Sequence, residues 1–279
     1  MKLICKTMGV SRSSYYDWKN HKTYQPSAED QAMKNKVEAV FWQNKRRYGF
    51  RRIAAQLNNT DTPISQYKAR KLMAEGALKA IQPRSFVPKT TNSRHSYPIS
   101  PNLLKGMSFP ADINQVWVGD ITYIPLADGS FQYLSVWMDL CSRKIVGWEL
   151  QNHMRESLVR TALHKALSQR SITTPLIIHS DRGGQYGAKN FRNLLAWPLL
   201  QQSMSDKDNP YDNAHMESCF SRLKAELMQE RRAFRDAENC RAEIFEFIDM
   251  YYNPKRLHSS LGYLSANEYE KNLQQRPAA

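Results

Sequence analysis

Two carboxylates sit where apolar packing does not explain them, and a third lies beside an apolar stripe. Asp120 interrupts the apolar run Val116 to Pro125, where a charge is costly unless it is paired or bound to a metal. Asp181 follows the short apolar run Leu176 to His179 and is succeeded by Arg182 and the pair Gly183-Gly184. Glu217 falls near the start of a segment in which Met216, Phe220, Leu223 and Leu227 recur at helical spacing. Three such carboxylates could hold two divalent ions about 3.5–4 Å apart, the arrangement that polarises a phosphodiester and activates an attacking oxygen. Hard oxygen ligands, with no cysteine or histidine set among them, select Mg²⁺ or Mn²⁺ over zinc. Lys224 lies seven residues after Glu217, two helical turns on and nearly on the same face. A carboxylate with a cation so placed suits a site for metal and phosphate, although a solvated helix face would look the same. Spacing alone decides little, because among 26 acidic residues many pairs fall 36 apart by chance.

The elements that must position these groups carry the argument further. Val116 to Pro125 alternates, Asp128-Gly129 supplies a turn, and Phe131 to Asp139 alternates again, which predicts an antiparallel hairpin. Ile145 to Leu150 adds a third strand, followed by a helix over about 155–169, a strand at Leu176 to His179 and a helix near 188–195. A loop opens at Ser203. Its turn cluster of Asp206, Asp208, Asn209, Pro210, Asp212 and Asn213 leads into the Glu217 helix, with Asp212 or Asn213 as its cap. A last long helix runs from about Asp236 to Tyr252. This order predicts a mixed α/β sheet with helices on its faces. Asp120 in a strand, Asp181 after a strand and Glu217 on a helix is the order that an RNase H-like fold requires. His179 reads as a strand-end imidazole satisfied by a backbone carbonyl, and Asp139 as a turn former.

The front of the chain differs in charge. Of the net +14, residues 1–111 hold 20 Lys and Arg against 6 Asp and Glu, whereas residues 112–279 hold 20 against 20. A one-sided excess of this kind points to a polyanion partner. Residues 1–24 read as a short basic and aromatic segment, the tail of something upstream. Residues 25–82 read as three helices: one from Ala28 to Trp42, a short one near Arg51 to Leu57, and a basic one capped by Ser65 and stopped at Gly76. That is a small all-α helix-turn-helix domain, in which the third helix, with Lys68, Arg70 and Lys71, enters the major groove. Lys45, Arg46, Arg47, Arg51 and Arg52 would lie along phosphates. Residues 83–111 carry Pro83, Pro88, Pro98, Pro101 and Pro110 and no acid, which marks a proline-rich linker. The core domain is then 112–279. The four cysteines form no CxxC pair, no apolar run approaches membrane-span length, and MKLICKTMGV has no signal-peptide core. A cytoplasmic protein without a membrane is expected.

Seven blocks in order carry a resemblance: GVSRSSYYDW, YGFRRIAAQL with KARKLMAEGAL, WVGDITYI, VWMDLCSRKIVGW, HSDRGGQY, NPYDNAHMESCFSRLKAE and YYNPKRLHSSLGY. In these the chain resembles the DDE transposases of bacterial insertion sequences, specifically the second-frame protein (OrfB) of the IS-three family, related to retroviral integrase cores. The resemblance implies an RNase H-like core with Asp120, Asp181 and Glu217 as metal ligands for two Mg²⁺ or Mn²⁺ ions, and Lys224 as a contact to the DNA end. All three acids match the motif. It further implies double-stranded DNA with terminal inverted repeats as substrate, a homo-oligomer on that DNA, nucleoid association, and an upstream OrfA protein often joined by frameshift fusion. The last block, with Tyr251, Tyr252, Asn253, Arg256 and His258, is assigned no chemistry and expected to pack the last helix or meet phosphate. Two other readings remain. A DNA-binding regulator with an inactive integrase-like core is opposed by the intact acids, and a plain nuclease has no need of the basic front.

Overall fold

The computed structural model describes residues 1–20, 27–60, 62–82, 96–206, 214–228 and 233–275. It divides into two compact units, Met1–Ala80 and Ile81–Ala279. Asp208, Asn209, Pro210 and the expected caps Asp212 and Asn213 lie outside the described residues, as do Pro83 and Pro88 of the linker.

The first unit is helical. Two short helices, α1 (Lys2–Thr7) and α2 (Arg12–Lys19), precede α3 (Ala28–Gln43), α4 (Phe50–Asn58) and α5 (Gln66–Glu75). Serine side chains stop helix fraying where the sequence offers them: Ser27 accepts from Asp30 N at 3.0 Å and Ser65 from Lys68 N at 3.1 Å. Gly49 opens α4 and Gly76 follows α5. Asn58 Oδ1 accepts from Ile64 N at 2.8 Å, which closes the turn between α4 and α5. Val37, Phe41, Ile53, Leu57, Ala69 and Leu72 are buried, so the apolar faces of α3, α4 and α5 make one small core.

The second unit is built on a mixed sheet. Strands β1 (Val116–Pro125), β2 (Phe131–Asp139) and β3 (Ile145–Gln151) are followed by α6 (Glu156–Ser168), β4 (Leu176–Ser180), α7 (Gly184–Gly187), α8 (Lys189–Leu194) and β5 (Leu200–Met204). The order across the sheet is β3-β2-β1-β4-β5, antiparallel within the β1–β2–β3 meander and parallel from β1 to β4 to β5. Strand alternation sends Trp117 and Trp137 to one face, against Val159 and Leu163 of α6. Gly147 lets α6 lie close, because a Cβ there would collide with the Ala162 carbonyl. Val118, Ile124 and Val136 point to the other face, against α9 (Ala214–Met228) and α10 (Ala237–Phe245). Helix α10 continues as a π-helical turn, Glu246–Tyr252, and α11 (Ala266–Gln274) closes the unit behind a Ser265–Glu268 capping box.

One boundary corrects the sequence reading. Ser203 does not open a loop but lies inside edge strand β5. Its unpaired side is covered by residues 100–103 of the same unit: Pro101 O accepts from Met204 N at 3.3 Å, Ser203 Oγ accepts from Leu103 N at 2.9 Å, and Ser100 donates to Gln202 at 3.0 Å. An edge so covered is shielded from pairing with another chain. All four cysteines are free and buried. Among the described residues, no helix is long and apolar enough to cross a membrane.

Candidate functional site

Parallel pairing of β1 with β4 joins two distant parts of the chain. Val118 pairs with His179 and Gly119 with Ser180. The next residue in each segment is a carboxylate, Asp120 within β1 and Asp181 just past β4, so both stand where the β1–β4 ladder ends. This is the usual place for a site in an α/β sheet, at the carboxyl ends of parallel strands. Asp120 Oδ1 accepts from Ile121 N at 2.7 Å, and Asp181 Oδ1 accepts from Gly183 N at 2.9 Å. Gly183 leaves room at that turn, since a Cβ would stand 3.0 Å from Asp181 Oδ1 and 2.9 Å from Gln185 Oε1, and side chains would have to shift to admit it. Both carboxylates border a cleft of about 350 Å³ whose walls include Tyr123, Phe131, Tyr133, Met154 and Tyr186.

Helix α9 brings the cation. Lys224 Nζ lies 4.3 Å from the centroid of the Tyr123 ring, a cation–π contact. Burial lowers the Lys224 pKa, and the negative charge of Asp120 opposes that fall. Asp120, Asp181 and Lys224 therefore share one neighbourhood. Glu217 is exposed in the first turn of α9 and is not among the residues bordering the cleft. Among the described residues, no group of three His, Cys, Asp or Glu side chains is close enough to hold a metal ion. The start of α9 is held by Arg143, whose Nη1 donates to His215 Nδ1 at 2.9 Å while its guanidinium lies over Phe109 at 5.2 Å. Burial and then the charge of Arg143 lower the His215 pKa, which keeps the imidazole neutral and able to accept.

The other end of α9 is clamped by residues that the sequence reading left without a role. Arg256 forks onto Glu226, with Nε to Oε2 at 2.9 Å and Nη2 to Oε1 at 2.7 Å, and both side chains are buried. At 2 % exposure Arg256 is a packing residue and does not meet phosphate. Burial alone would lower its pKa, but the Glu226 carboxylate outweighs that and holds the guanidinium charged. Asn253 acts as a short strand for β3, accepting from Ile145 N at 3.0 Å and donating to Ile145 O at 2.9 Å. Asp139 is the expected turn former, accepting from Ser142 N at 2.9 Å and Asn114 N at 2.7 Å. His179 is buried with its ring nitrogens against the hydroxyls of Ser203 at 2.8 Å and Ser205 at 3.2 Å, so serines serve where a carbonyl was expected.

Tyr186 was not singled out from the sequence. Its ring packs edge-on against Trp137 and Phe191, at 5.9 and 5.5 Å between centroids. Its buried hydroxyl finds no hydrogen-bond partner among the described residues. Burial, and then the charges of Asp181 and Asp120, raise its pKa well above the ordinary value, so it is a neutral donor facing two carboxylates. A buried hydroxyl without a partner costs about 1–3 kcal/mol. Tyr186→Phe is therefore expected to leave the unfolding temperature level or raise it, as thermal denaturation would show. A drop of several degrees would mean that the hydroxyl is bonded after all.

In the first unit, Lys45, Arg51, Arg70 and Lys71 are exposed, while Arg46, Arg47, Arg52 and Lys68 are half-buried. Lys68 pairs with Asp30 at 2.9 Å, and Lys71 lies 3.8 Å from Glu75. Arg51 and Arg70 flank the ring of Phe50 at 5.5 and 5.9 Å, and Arg52 stacks on Tyr48 at 5.5 Å. These aromatic contacts hold guanidinium groups from α4 and α5 in place without neutralising them.

Comparison with known proteins gives matches over both units. Residues 27–86 match the model of an HTH-like domain, and residues 111–210 and 200–265 match models of the integrase core domain. The chain is 39 % identical over 243 residues to a transposase for insertion sequence element IS904 of Lactococcus lactis, covering 87 % of this chain and 95 % of that protein. It is 35 % identical over 276 residues to transposase InsF for insertion sequence IS3A of Escherichia coli K12, covering 98 % and 95 %. A 31 kDa protein of insertion element IS600 from Shigella sonnei is 35 % identical over 275 residues, covering 99 % and 100 %. Among solved structures, a chain of the simian T-cell lymphotropic virus intasome in complex with PP2A regulatory subunit B56 gamma matches with a TM-score of 0.50 and 15 % identity, covering 81 % of this chain and 73 % of that one. At that identity the likeness speaks for the fold alone.

Proposed function

This chain belongs to the IS3-family insertion-sequence transposases, and from that premise we propose that Asp120, Asp181 and Glu217 are its catalytic carboxylates and Lys224 its contact to the DNA end. It is a DDE-type polynucleotidyl transferase acting in DNA transposition and integration. The observation that supports the residue assignment is the β1–β4 register, in which Asp120 and Asp181 each follow the last paired residue, together with their shared border on one cleft. Their oxygens are hard donors, and among the described residues no sulfhydryl or imidazole borders that cleft, so the donor set fits Mg²⁺ or Mn²⁺. Two such ions, when bound, supply Lewis-acid polarisation of the phosphodiester. Asp120 and Asp181 would hold them, and Glu217 would supply the third carboxylate from the helix that also carries Lys224. Lys224 offsets negative charge on the phosphate that enters. Water attacks the phosphodiester at the element's end and the 3′-hydroxyl leaves. That hydroxyl then attacks a phosphodiester of a second strand, forming a new P–O bond as the attacked strand's own 3′-oxygen leaves and takes up the proton, with no covalent link to the protein.

The helix-turn-helix unit, assigned to residues 25–82, positions the DNA. Helix α5 enters the major groove with Arg70 and Lys71 exposed on it, and Lys68 reaches phosphate from its pair with Asp30. Lys45, Arg46, Arg47, Arg51 and Arg52 follow the backbone. Residues 83–111 link this unit to the core, 112–279, and the chain acts as at least a dimer on paired terminal repeats, joined to OrfA as a fusion and located at the bacterial nucleoid. The test is incubation of the chain, alone and fused to OrfA, with a labelled duplex bearing the element's end and Mg²⁺ or Mn²⁺. Joined product that disappears with EDTA and in Glu217→Gln is expected. Undiminished metal-dependent joining by Glu217→Gln would remove Glu217 from the site.

A further inference from the structure

We propose, on the basis of the transposase reading above, that the aromatic recess beside Asp120 and Asp181 receives one unpaired nucleobase of the strand being cut. The two carboxylates are two of the eleven residues that border the cleft among the described residues. Its other walls include three rings of the β1–β2 hairpin, Tyr123, Phe131 and Tyr133, of which Tyr123 and Tyr133 are directly paired in register. Phe131 stands edge-on to Tyr123 at 5.5 Å and 84°. It is 43 % exposed, so folding alone does not use its face. Lys224 over the Tyr123 ring fixes a positive charge at the boundary between rings and carboxylates.

A phosphate would be poorly served by such walls, but a base would be well served. Flat heteroaromatic rings stack on Phe and Tyr faces, and the adjacent cation strengthens binding of the attached phosphate. A paired base keeps its faces inside the duplex, so only a nucleotide taken out of the stack can enter. The base of a nucleotide whose phosphate lies at Asp120 and Asp181 hangs within one sugar of the recess. The Gln185 amide already donates to Met154 O at 3.0 Å, and the hydroxyls of the bordering residues Thr122, Tyr123, Tyr133 and Tyr186 can donate or accept and so suit any base. Recognition is therefore by stacking and tolerant of base identity.

The test uses the full chain, or its OrfA fusion, with duplex ends that are intact or abasic at the nucleotides flanking the cut phosphodiester. Phe131→Ala and Tyr133→Ala are expected to lower joining on intact ends by roughly 5- to 100-fold, the worth of one stacked base, and Phe131→Tyr to retain it. On the abasic duplex the wild type should show the same loss and the alanine variants no further one. In parallel, 5-iodouracil at the flanking positions should photocrosslink to Phe131 or Tyr133 in Asp181→Asn protein, a readout that needs no chemistry. Equal losses by the variants on intact and abasic ends, or crosslinks confined to other elements, would overturn the base site. Hairpin crosslinks with a wild type that never joins would overturn the transposase reading and leave the base site standing. Normal joining by the alanine variants would do the reverse.

Discussion

Asp181→Asn is expected to lower strand joining by on the order of 10³-fold, the scale of losing a directly acting electrostatic group, with the protein still folded. The substitution is nearly isosteric. The asparagine Oδ1 can still accept from Gly183 N, so the turn after β4 survives. Asp120 and Asp181 leave adjacent positions of the β1–β4 ladder, and two like charges so close repel unless a cation lies between them. Neutralising one relieves that repulsion, which predicts an unfolding temperature equal to or above that of the wild type without added metal. Saturating Mg²⁺ or Mn²⁺ should reverse the order. A ligand at 100 times its Kd adds about 2.7 kcal/mol, which the wild type gains and Asp181→Asn largely loses. Thermal denaturation across a metal titration, beside the joining assay, separates a lost ligand from a broken fold. Joining within a few-fold of wild type would take Asp181 out of the chemistry, and unfolding of the variant would make it a structural residue.

How much of this could be read from residues alone depends on how local the cause is. The β1–β2 hairpin is legible because its signals are adjacent in the chain: two alternating runs and Asp128-Gly129, where Gly129 takes a positive φ of 85° and Asp128 accepts from Ser130 N at 2.9 Å. Ser65 and Gly76 mark both ends of α5 for the same reason. Strand β5 is less legible. Leu200-Gln201-Gln202-Ser203-Met204 lacks a clear apolar alternation, and its partners come from β4 and from Ser100 and Leu103, 102 and 100 positions earlier. The carboxylate pair was visible as two misplaced charges, but its closeness depends on a parallel register that no spacing rule supplies. Tyr186 stands in the same block as Asp181, yet a donor left without a partner is a property of packing and has no signature in the sequence. Glu217 shows the converse, since its helix and apolar stripe are as expected while its exposure follows from the pose of α9.

That pose depends on the Arg256–Glu226 pair, and Arg256→Ala is expected to cost about 3–5 kcal/mol, the usual penalty for removing one partner of a buried ion pair. Glu226 would stay buried on α9 after losing a two-pronged guanidinium at 2.7 and 2.9 Å. The ring of Tyr252, now 5.4 Å from that guanidinium, would lose its cation as well. At about 2–4 °C per kcal/mol for a protein of this size, the unfolding temperature should fall by roughly 6–20 °C. Arg256→Lys should recover only part of this, because an ammonium cannot reproduce the fork. Replacing both partners by apolar residues, Arg256→Met with Glu226→Leu, should recover most of it, since the penalty comes from a charge kept out of water. The pair holds the helix that carries Glu217 and Lys224, so joining should fall with the alanine variant and return with the apolar pair. Full stability in the double variant without recovered joining would give Arg256 a role at the DNA itself. A loss below about 1 kcal/mol in Arg256→Ala, the value of an exposed pair, would mean that α9 does not bury Glu226 as the structure places it.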